Sequence, residues 1–178
     1  FSDYMGRPTQ SLVKDYTNNN VIATQTLYDA YGRAVLQTLP APIFETELCY
    51  KDYFITNQSG NNYTFNDFDK PDYSFFPNSG EVNNPGFVSS QSVGSLGWYY
   101  GQFNTVEPYV PSSFTPYQRT EFNTLNPIDV KKTSQPGEKL NHGSGHENYG
   151  FTMTTLGELN FMFGFGGSWT ISDLDNAF

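Results

Sequence analysis

The densest group of chemically versatile side chains lies between His142 and Glu147. Two imidazoles, a hydroxyl and a carboxylate occur there, and these groups bind zinc or activate nucleophiles. A His-x-x-x-His zinc pair needs a helix to bring both ligands to one face, and Gly143 and Gly145 disfavour that helix. Ser144 is flanked directly by glycines, so it does not match the Gly-x-Ser-x-Gly elbow. We therefore predict a structural turn, with no catalytic residue, metal ligand or cofactor site.

Cys49 is the only cysteine, so no intrachain disulfide can form. It lies between Leu48 and Tyr50, and a lone cysteine in such an apolar and aromatic run is predicted to be a small buried side chain. No base is placed beside it in sequence, so the pattern does not indicate a nucleophilic thiol. We expect no enzymatic activity from this chain.

The densest aromatic cluster is at residues 97–101. In a strand, alternation places Trp98 and Tyr100 on one face and Tyr99 on the other. Aromatic rings with nearby Asn and Glu side chains often hold sugars, so Trp98 and Tyr100 form a candidate ligand platform. In a β-rich chain, clustered rings more often pack in the core or between layers. Both interpretations stay open.

Composition narrows the classes of partner. The chain has 18 acidic and 9 basic residues and a net charge of −9, the wrong sign for a phosphate backbone, so we expect no nucleic acid partner. There is no apolar run near the roughly 20 residues that a membrane helix needs, and no signal peptide, so we expect no membrane insertion. Thirteen Tyr and sixteen Phe favour wide β surfaces.

Two segments that must position any site share the frame Asp-x-x-Gly-Arg. They are residues 3–7 and 29–33, offset by 29 − 3 = 26 positions, which is a repeat-unit spacing. In each copy the Asp side chain can accept hydrogen bonds from the backbone N–H groups that follow it, and the Gly can take the positive φ that closes a tight turn. The Arg can fold back to pair with the Asp. Each copy is therefore predicted to be the turn of a β-hairpin.

The second copy resembles the YD repeat of RHS-repeat proteins, whose signature is Tyr-Asp-x-x-Gly-Arg. Its matching residues are Tyr28, Asp29, Gly32 and Arg33. The first copy has Ser2 in the Tyr position, while Asp3, Gly6 and Arg7 match. Further segments are similar to the region that follows the first repeats in large RHS-type secreted bacterial proteins, and the resemblance covers most of residues 1–165. These segments are residues 97–100, 107–109, 116–122 and 136–147.

Local patterns predict the other elements. Residues 9–16 and 21–28 should form a hairpin around the polar residues 17–20, and the prolines of 39–42 should end ladder pairing. Residues 43–56 are predicted to contain a strand, 63–96 long loops, and 119–123 a strand with a turn at 126–127. One short helix is predicted near 155–163 from the capping-box spacing of Thr155 and Glu158. The fold class is thus all-β, mainly antiparallel hairpins, with one short helix.

The resemblance implies one β-rich segment, residues 1–178, of a larger shell. Residues 1–42 would supply YD-type repeats, 43–154 strands and long loops, and 155–178 a short helix and tail. The implied function is non-catalytic: a secreted or cell-surface β shell that encapsulates or presents a cargo such as a toxin. Its partners would be the remainder of a larger RHS-like chain or associated subunits. The alternative is an aromatic-rich carbohydrate-binding or adhesin module. Because the chain begins inside a repeat, we expect the segment to associate when it is produced alone.

Overall fold

A computed structural model describes residues 1–64, 67, 86–123 and 128–150. Within these residues the chain forms seven β-strands and one four-residue helix, which confirms the predicted all-β class. The strands are β1 (Gln10–Asp15), β2 (Asn20–Tyr28), β3 (Ala34–Thr38), β4 (Ala41–Pro42), β5 (Tyr117–Phe122), β6 (Val130–Ser134) and β7 (Asn148–Tyr149). The helix α1 (Leu96–Tyr99) lies between β4 and β5.

The strands form one antiparallel sheet in the order β1-β2-β3-β5-β6-β7, with β4 on a second part of β2. The predicted first hairpin is confirmed, because β1 and β2 pair from Gln10 opposite Gln25 to Asp15 opposite Asn20. The predicted strand at 119–123 is confirmed within β5. The turns of these hairpins therefore lie at the ends of the strands of one sheet.

β3 and β4 pair with the same side of β2, with an interruption at residues 39–40. At this interruption the Thr38 hydroxyl accepts a hydrogen bond from the Gln25 amide at 2.8 Å, where a backbone carbonyl would otherwise stand. Pairing then resumes in β4, and the Ile43 amide donates to the Val21 carbonyl at 2.9 Å. The prolines interrupt the ladder but do not end it, so the prediction that pairing ends at 39–42 is wrong. β4 pairs with β2 alone, so its proline is tolerated at an edge.

One face of the sheet is the core face. Alternation in β2 buries Val21 and Ala23, and Leu36 of β3 continues the same surface. On β1 the buried Gln10 satisfies its amide by donating to the Lys51 carbonyl at 3.1 Å and accepting from the Lys51 amide at 2.8 Å. The following residues pack together in this core: Val21, Ala23, Val35, Leu36, Ala41, Ile43, Phe54, Ile55, Tyr63, Val88, Leu96 and Tyr117.

Residues 97–101 do not form the predicted strand, because the chain is helical from Leu96 to Tyr99. Ser95 caps this helix, and its hydroxyl accepts from the Trp98 amide at 3.3 Å. Gly97 lets the helix approach another segment closely, since a Cβ there would lie 2.2 Å from the Ser89 carbonyl oxygen. The aromatic alternation expected of a strand is therefore lost.

The predicted strand within residues 43–56 is also wrong. After β4, the described chain has no strand there, and only an isolated bridge joins Thr56 to Asn62. Phe54 and Ile55 are both buried although they are consecutive, which a strand with one solvent-exposed face does not produce. The predicted helix near 155–163, the turn at 126–127 and most of the loops at 63–96 lie outside the described residues.

Candidate functional site: repeat turns and an aromatic groove

The second repeat turn, residues 29–33, has the predicted geometry. One oxygen of Asp29 accepts from the amides of Tyr31 and Arg33, both at 2.9 Å. The other oxygen accepts from Arg33 Nε at 2.7 Å and lies 2.6 Å from Nη2. Gly32 has φ of +79° and donates its amide to the Asp29 carbonyl at 3.0 Å. One carboxylate therefore holds both the backbone of the turn and its arginine.

The first repeat turn, residues 3–7, is a near copy of the second. Asp3 accepts from the amides of Met5 and Arg7 at 2.9 and 3.0 Å, and from Arg7 Nε at 2.7 Å. Gly6 has φ of +78°. Burial raises the pKa of Asp3, but the hydrogen bonds from Arg7 and from the backbone outweigh it and hold this pKa below its usual value. Replacement of the motif Tyr by Ser2 leaves the turn intact.

A third turn of this form occurs at residues 57–61, and we name it the Asn57 turn. It does not have the Asp-x-x-Gly-Arg frame, so the sequence analysis missed it. Asn57 Oδ1 accepts from the amides of Ser59 and Asn61 at 3.0 and 3.1 Å, and Gly60 has φ of +79°. The Asn57 amide donates to the Asn61 carbonyl at 2.9 Å, as Asp29 does to Arg33 at 3.0 Å. A search for Asx-x-x-Gly, rather than for Asp-x-x-Gly-Arg, would have found it.

Arginines link consecutive hairpins. The Arg7 guanidinium carbon lies 4.6 Å from the centroid of the Tyr28 ring, and Tyr28 donates its hydroxyl to the Pro8 carbonyl at 2.9 Å. The Arg33 guanidinium carbon lies 4.4 Å from the centroid of the Phe122 ring in β5. Both distances are typical of cation–π interactions, and each such interaction contributes about 0.5–1 kcal/mol at exposed sites. Each repeat arginine therefore contacts an aromatic ring of the next hairpin in the sheet.

The β5–β6 hairpin follows the repeat pattern at its strand ends. Tyr28 of β2 and Phe122 of β5 each come directly after a register shift in their ladders. The Asn123 amide donates to the Asp129 carbonyl at 2.8 Å, in the position of the bond that closes the second repeat turn. Phe122 thus stands where the YD pattern has Tyr28, although its hairpin has a longer connection.

The segment from His142 to Glu147 is a turn that leads into β7, as predicted. His142 is 2% exposed, whereas His146 is exposed, so the two imidazoles do not converge. The Gly143 amide donates to the Glu147 carboxylate. Burial raises the pKa of Glu147, but the backbone hydrogen bonds together with the nearby Lys132 and His142 outweigh it and hold this pKa below its usual value.

His142 belongs to a charged cluster on the core face that sequence analysis did not predict. Its Nε2 lies 3.6 Å from Glu121 Oε2, and Lys132 Nζ lies 3.5 Å from the same oxygen. Lys131 contacts the other Glu121 oxygen at 3.1 Å, and the buried Arg119 precedes Glu121 on the same strand face. Glu121 of β5 therefore pairs with Lys131 and Lys132 of β6, and His142 lies next to this pairing.

Cys49 is exposed, so the prediction of a buried thiol is wrong. Its neighbours Leu48 and Tyr50 are also exposed, because this part of the chain lies on the surface outside the sheet. Within the described ranges, no group of three or more His, Cys, Asp or Glu side chains is placed to hold a metal ion. No helix among those same residues is long and apolar enough to span a bilayer.

The predicted ligand platform of Trp98 and Tyr100 is divided between two environments. Trp98 is 8% exposed and contacts Phe44 edge-on, with ring centroids 5.4 Å apart. Tyr100 is half-buried and packs edge-on against Tyr99 at 5.0 Å. Trp98 is therefore a supporting core residue, whereas Tyr99, Tyr100 and Phe44 reach a surface groove.

This groove, which we name the aromatic groove, has a volume of about 670 Å³. Its walls are the β1–β2 loop with Asp15, the chain around β4 with Phe44, and α1 with the segment that reaches Glu107. The Tyr99 hydroxyl donates to Glu107 Oε2 at 2.7 Å, and burial with this bond raises the pKa of Tyr99. The Tyr100 hydroxyl donates to the Pro40 carbonyl at 2.9 Å. Hydrogen bonds therefore hold both tyrosines in place.

Asp15 and Phe44 add two further features to the groove. Hydrogen bonds from the Asn18 side chain and the Thr17 amide hold the pKa of Asp15 below its usual range, so it is a carboxylate at neutral pH. Phe44 has φ of +57°, a strained conformation for a bulky residue that often marks functional sites.

Comparisons of the chain with protein-family models, with curated proteins and with solved structures found no match.

Proposed function

We propose that this chain is a non-catalytic structural segment of an RHS-type, or YD-repeat, protein. The link between consecutive hairpins carries the proposal: Arg7 stacks on Tyr28, and Arg33 stacks on Phe122. A turn motif that only closed its own hairpin would not need this contact. Here the arginine also joins one hairpin to the next, which is the requirement for a sheet that grows by adding repeats.

The pattern of exposure along the strands supports a one-sided sheet. The core face buries Val21 and Leu36, whereas Val13 and Gln37 are exposed on strands β1 and β3. A shell needs such a sheet, with one face covered and one face in solvent. The proposed partners are the remainder of a larger RHS-like chain or associated subunits, and the proposed location is the cell surface or the secreted fraction.

The outer edge of β1 is suited to further pairing. Gln10 directs its backbone away from β2, because its amide and carbonyl both bond to Phe1. By the alternation of an antiparallel ladder, the backbone groups of Leu12 and Lys14 point the same way. Within the described ranges β1 pairs with β2 alone, so this edge has no second strand there. Such an edge is a template for another strand.

The test is the association state of residues 1–178 produced alone, measured by size-exclusion chromatography with light scattering. We expect concentration-dependent association through the β1 edge. Val13→Lys places a charge on this edge strand and should reduce association. Gln37→Lys adds the same charge to an exposed position of the interior strand β3 and is the matched control.

A dispersed monomer that melts cooperatively would contradict the structural-segment proposal. So would association that Val13→Lys and Gln37→Lys reduce equally, because it would then depend on net charge and not on the strand edge.

A further inference from the structure

Beyond the structural role, we propose that the aromatic groove binds an uncharged oligosaccharide. Sugars are recognised by aromatic rings against their C–H faces and by carboxylate or amide groups on their hydroxyls. The groove offers both kinds of group, with the rings of Tyr99, Tyr100 and Phe44 beside the carboxylates of Asp15 and Glu107. Its volume of about 670 Å³ lies in the range of ligand sites.

The rings are held in place before any ligand arrives. Tyr99 is fixed through Glu107 at 2.7 Å, and Tyr100 through the Pro40 carbonyl at 2.9 Å. Phe44 rests on the edge of the buried Trp98. Preorganised rings lose little conformational entropy on binding, which favours weak neutral ligands such as sugars.

Polar groups of the groove remain for sugar hydroxyls. Glu107 uses Oε2 for Tyr99, which leaves Oε1 as an acceptor. Asn19 and Asn20 use their Oδ1 atoms for Lys14 and for the Val21 amide, so their Nδ2 groups remain as donors among the described contacts. Acceptors and donors that line one groove can pair with sugar hydroxyls, because each hydroxyl both donates and accepts.

The charge of the groove selects against acidic sugars. Asp15 and Glu107 are both carboxylates, and among the described residues no Lys or Arg lines the groove. Lys14 is not one of the lining residues, and its Nζ donates to Asn19 Oδ1 and to the Thr46 carbonyl, both at 2.8 Å. Uronic acids and sulfated sugars would meet like charge here, so the ligand class is neutral.

Isothermal titration of the full chain with cellohexaose, maltohexaose, xylohexaose and chitohexaose tests the proposal. At least one probe should bind with Kd of about 1 mM or tighter. Glu107→Gln keeps the shape but removes the charge, and it should weaken binding about tenfold. Tyr99→Ala should weaken it by a similar factor, while Tyr99→Phe, which keeps the ring, should lose less.

Tyr109→Ala is the matched control, because Tyr109 is 97% exposed and lies outside the groove on the same loop as Glu107. Its affinity should equal that of the unmodified chain, and circular dichroism should show all variants folded. Failure of all four probes, or equal weakening by Tyr109→Ala, would overturn the proposal. Binding of hexalysine in place of every sugar would also overturn it and would assign the groove to a basic peptide.

Discussion

The second repeat turn and the Asn57 turn have the same backbone but different side-chain chemistry. In both, an Asx oxygen accepts two amides and a glycine has φ of +79°. Arg33 ends the first and reaches Phe122, whereas Asn61 ends the second, where Asn57 Nδ2 donates instead to Asp67 at 2.8 Å. The turn therefore needs only the Asx oxygen and the glycine. The arginine serves the contact with the next hairpin.

The largest expected effect is that of a branched residue at the shared glycine. Gly32→Val and Gly60→Val should each lower the free energy of unfolding by about 1–3 kcal/mol, because both positions have positive φ. Gly32→Val should be the more harmful, since a Cβ there lies 2.6 Å from Arg7 Nη1, while Gly60 has open space. Urea denaturation measures both. His146→Ala, at an exposed position, is the control with almost no expected change.

If Gly32→Val were as stable as the unmodified chain, the left-handed turn would not be needed. If Gly60→Val were the more harmful, the contact between Arg7 and the second turn would carry no weight.

Exchanging the Asx residues is expected to have a smaller effect. Asp29→Asn keeps the acceptor for both amides but removes the ion pair, and it should lower the free energy of unfolding by about 1 kcal/mol. Asn57→Asp should also destabilise, because the new carboxylate meets Asp67 where Asn57 donates at 2.8 Å. Adding Asn61→Arg to Asn57→Asp should recover part of this loss, since it rebuilds the repeat ion pair.

Denaturant curves at low and high salt measure this exchange. The effect of Asp29→Asn should shrink in high salt. No recovery in the Asn57→Asp, Asn61→Arg double variant would show that the arginine needs Phe122 to contribute.

The smallest expected effect is on acid stability. Burial raises the pKa of Asp3, but the hydrogen bonds from Arg7 and the backbone lower it below the ordinary 3.8. A lowered folded-state pKa contributes stability that is present above the unfolded pKa and is lost as the pH falls through the folded pKa. The free energy of unfolding should therefore fall below about pH 4. The stability of Asp3→Asn should fall less steeply, because the amide at this position of the turn does not titrate, as in the Asn57 turn.

Urea titrations between pH 7 and pH 2 give this comparison. Asp15 and Glu147 also have lowered pKa values and remain in both proteins, so the difference between the two curves isolates Asp3. Parallel curves would contradict its role in holding the first turn.

The repeat turns were predictable because all their determinants are local. Asp29, Gly32 and Arg33 lie within one turn, and each residue type has a single suitable role there. The β1–β2 hairpin was predictable for the same reason, since residues 17–20 lie between two β-prone runs. The Asn57 turn was missed only because Arg was treated as part of the turn, although the arginine acts between hairpins.

The sequence by itself determined the antiparallel class, the repeat turns and the chain reversal before β7, because Asx oxygens and positive-φ glycines act on neighbouring residues. Only the tertiary structure decided the burial of Trp98, the exposure of Cys49 and the formation of the aromatic groove. Phe44 and Tyr99 meet there although they are far apart in sequence. The helix α1 approaches Ser89 closely at Gly97, and local alternation carries no information about such a contact.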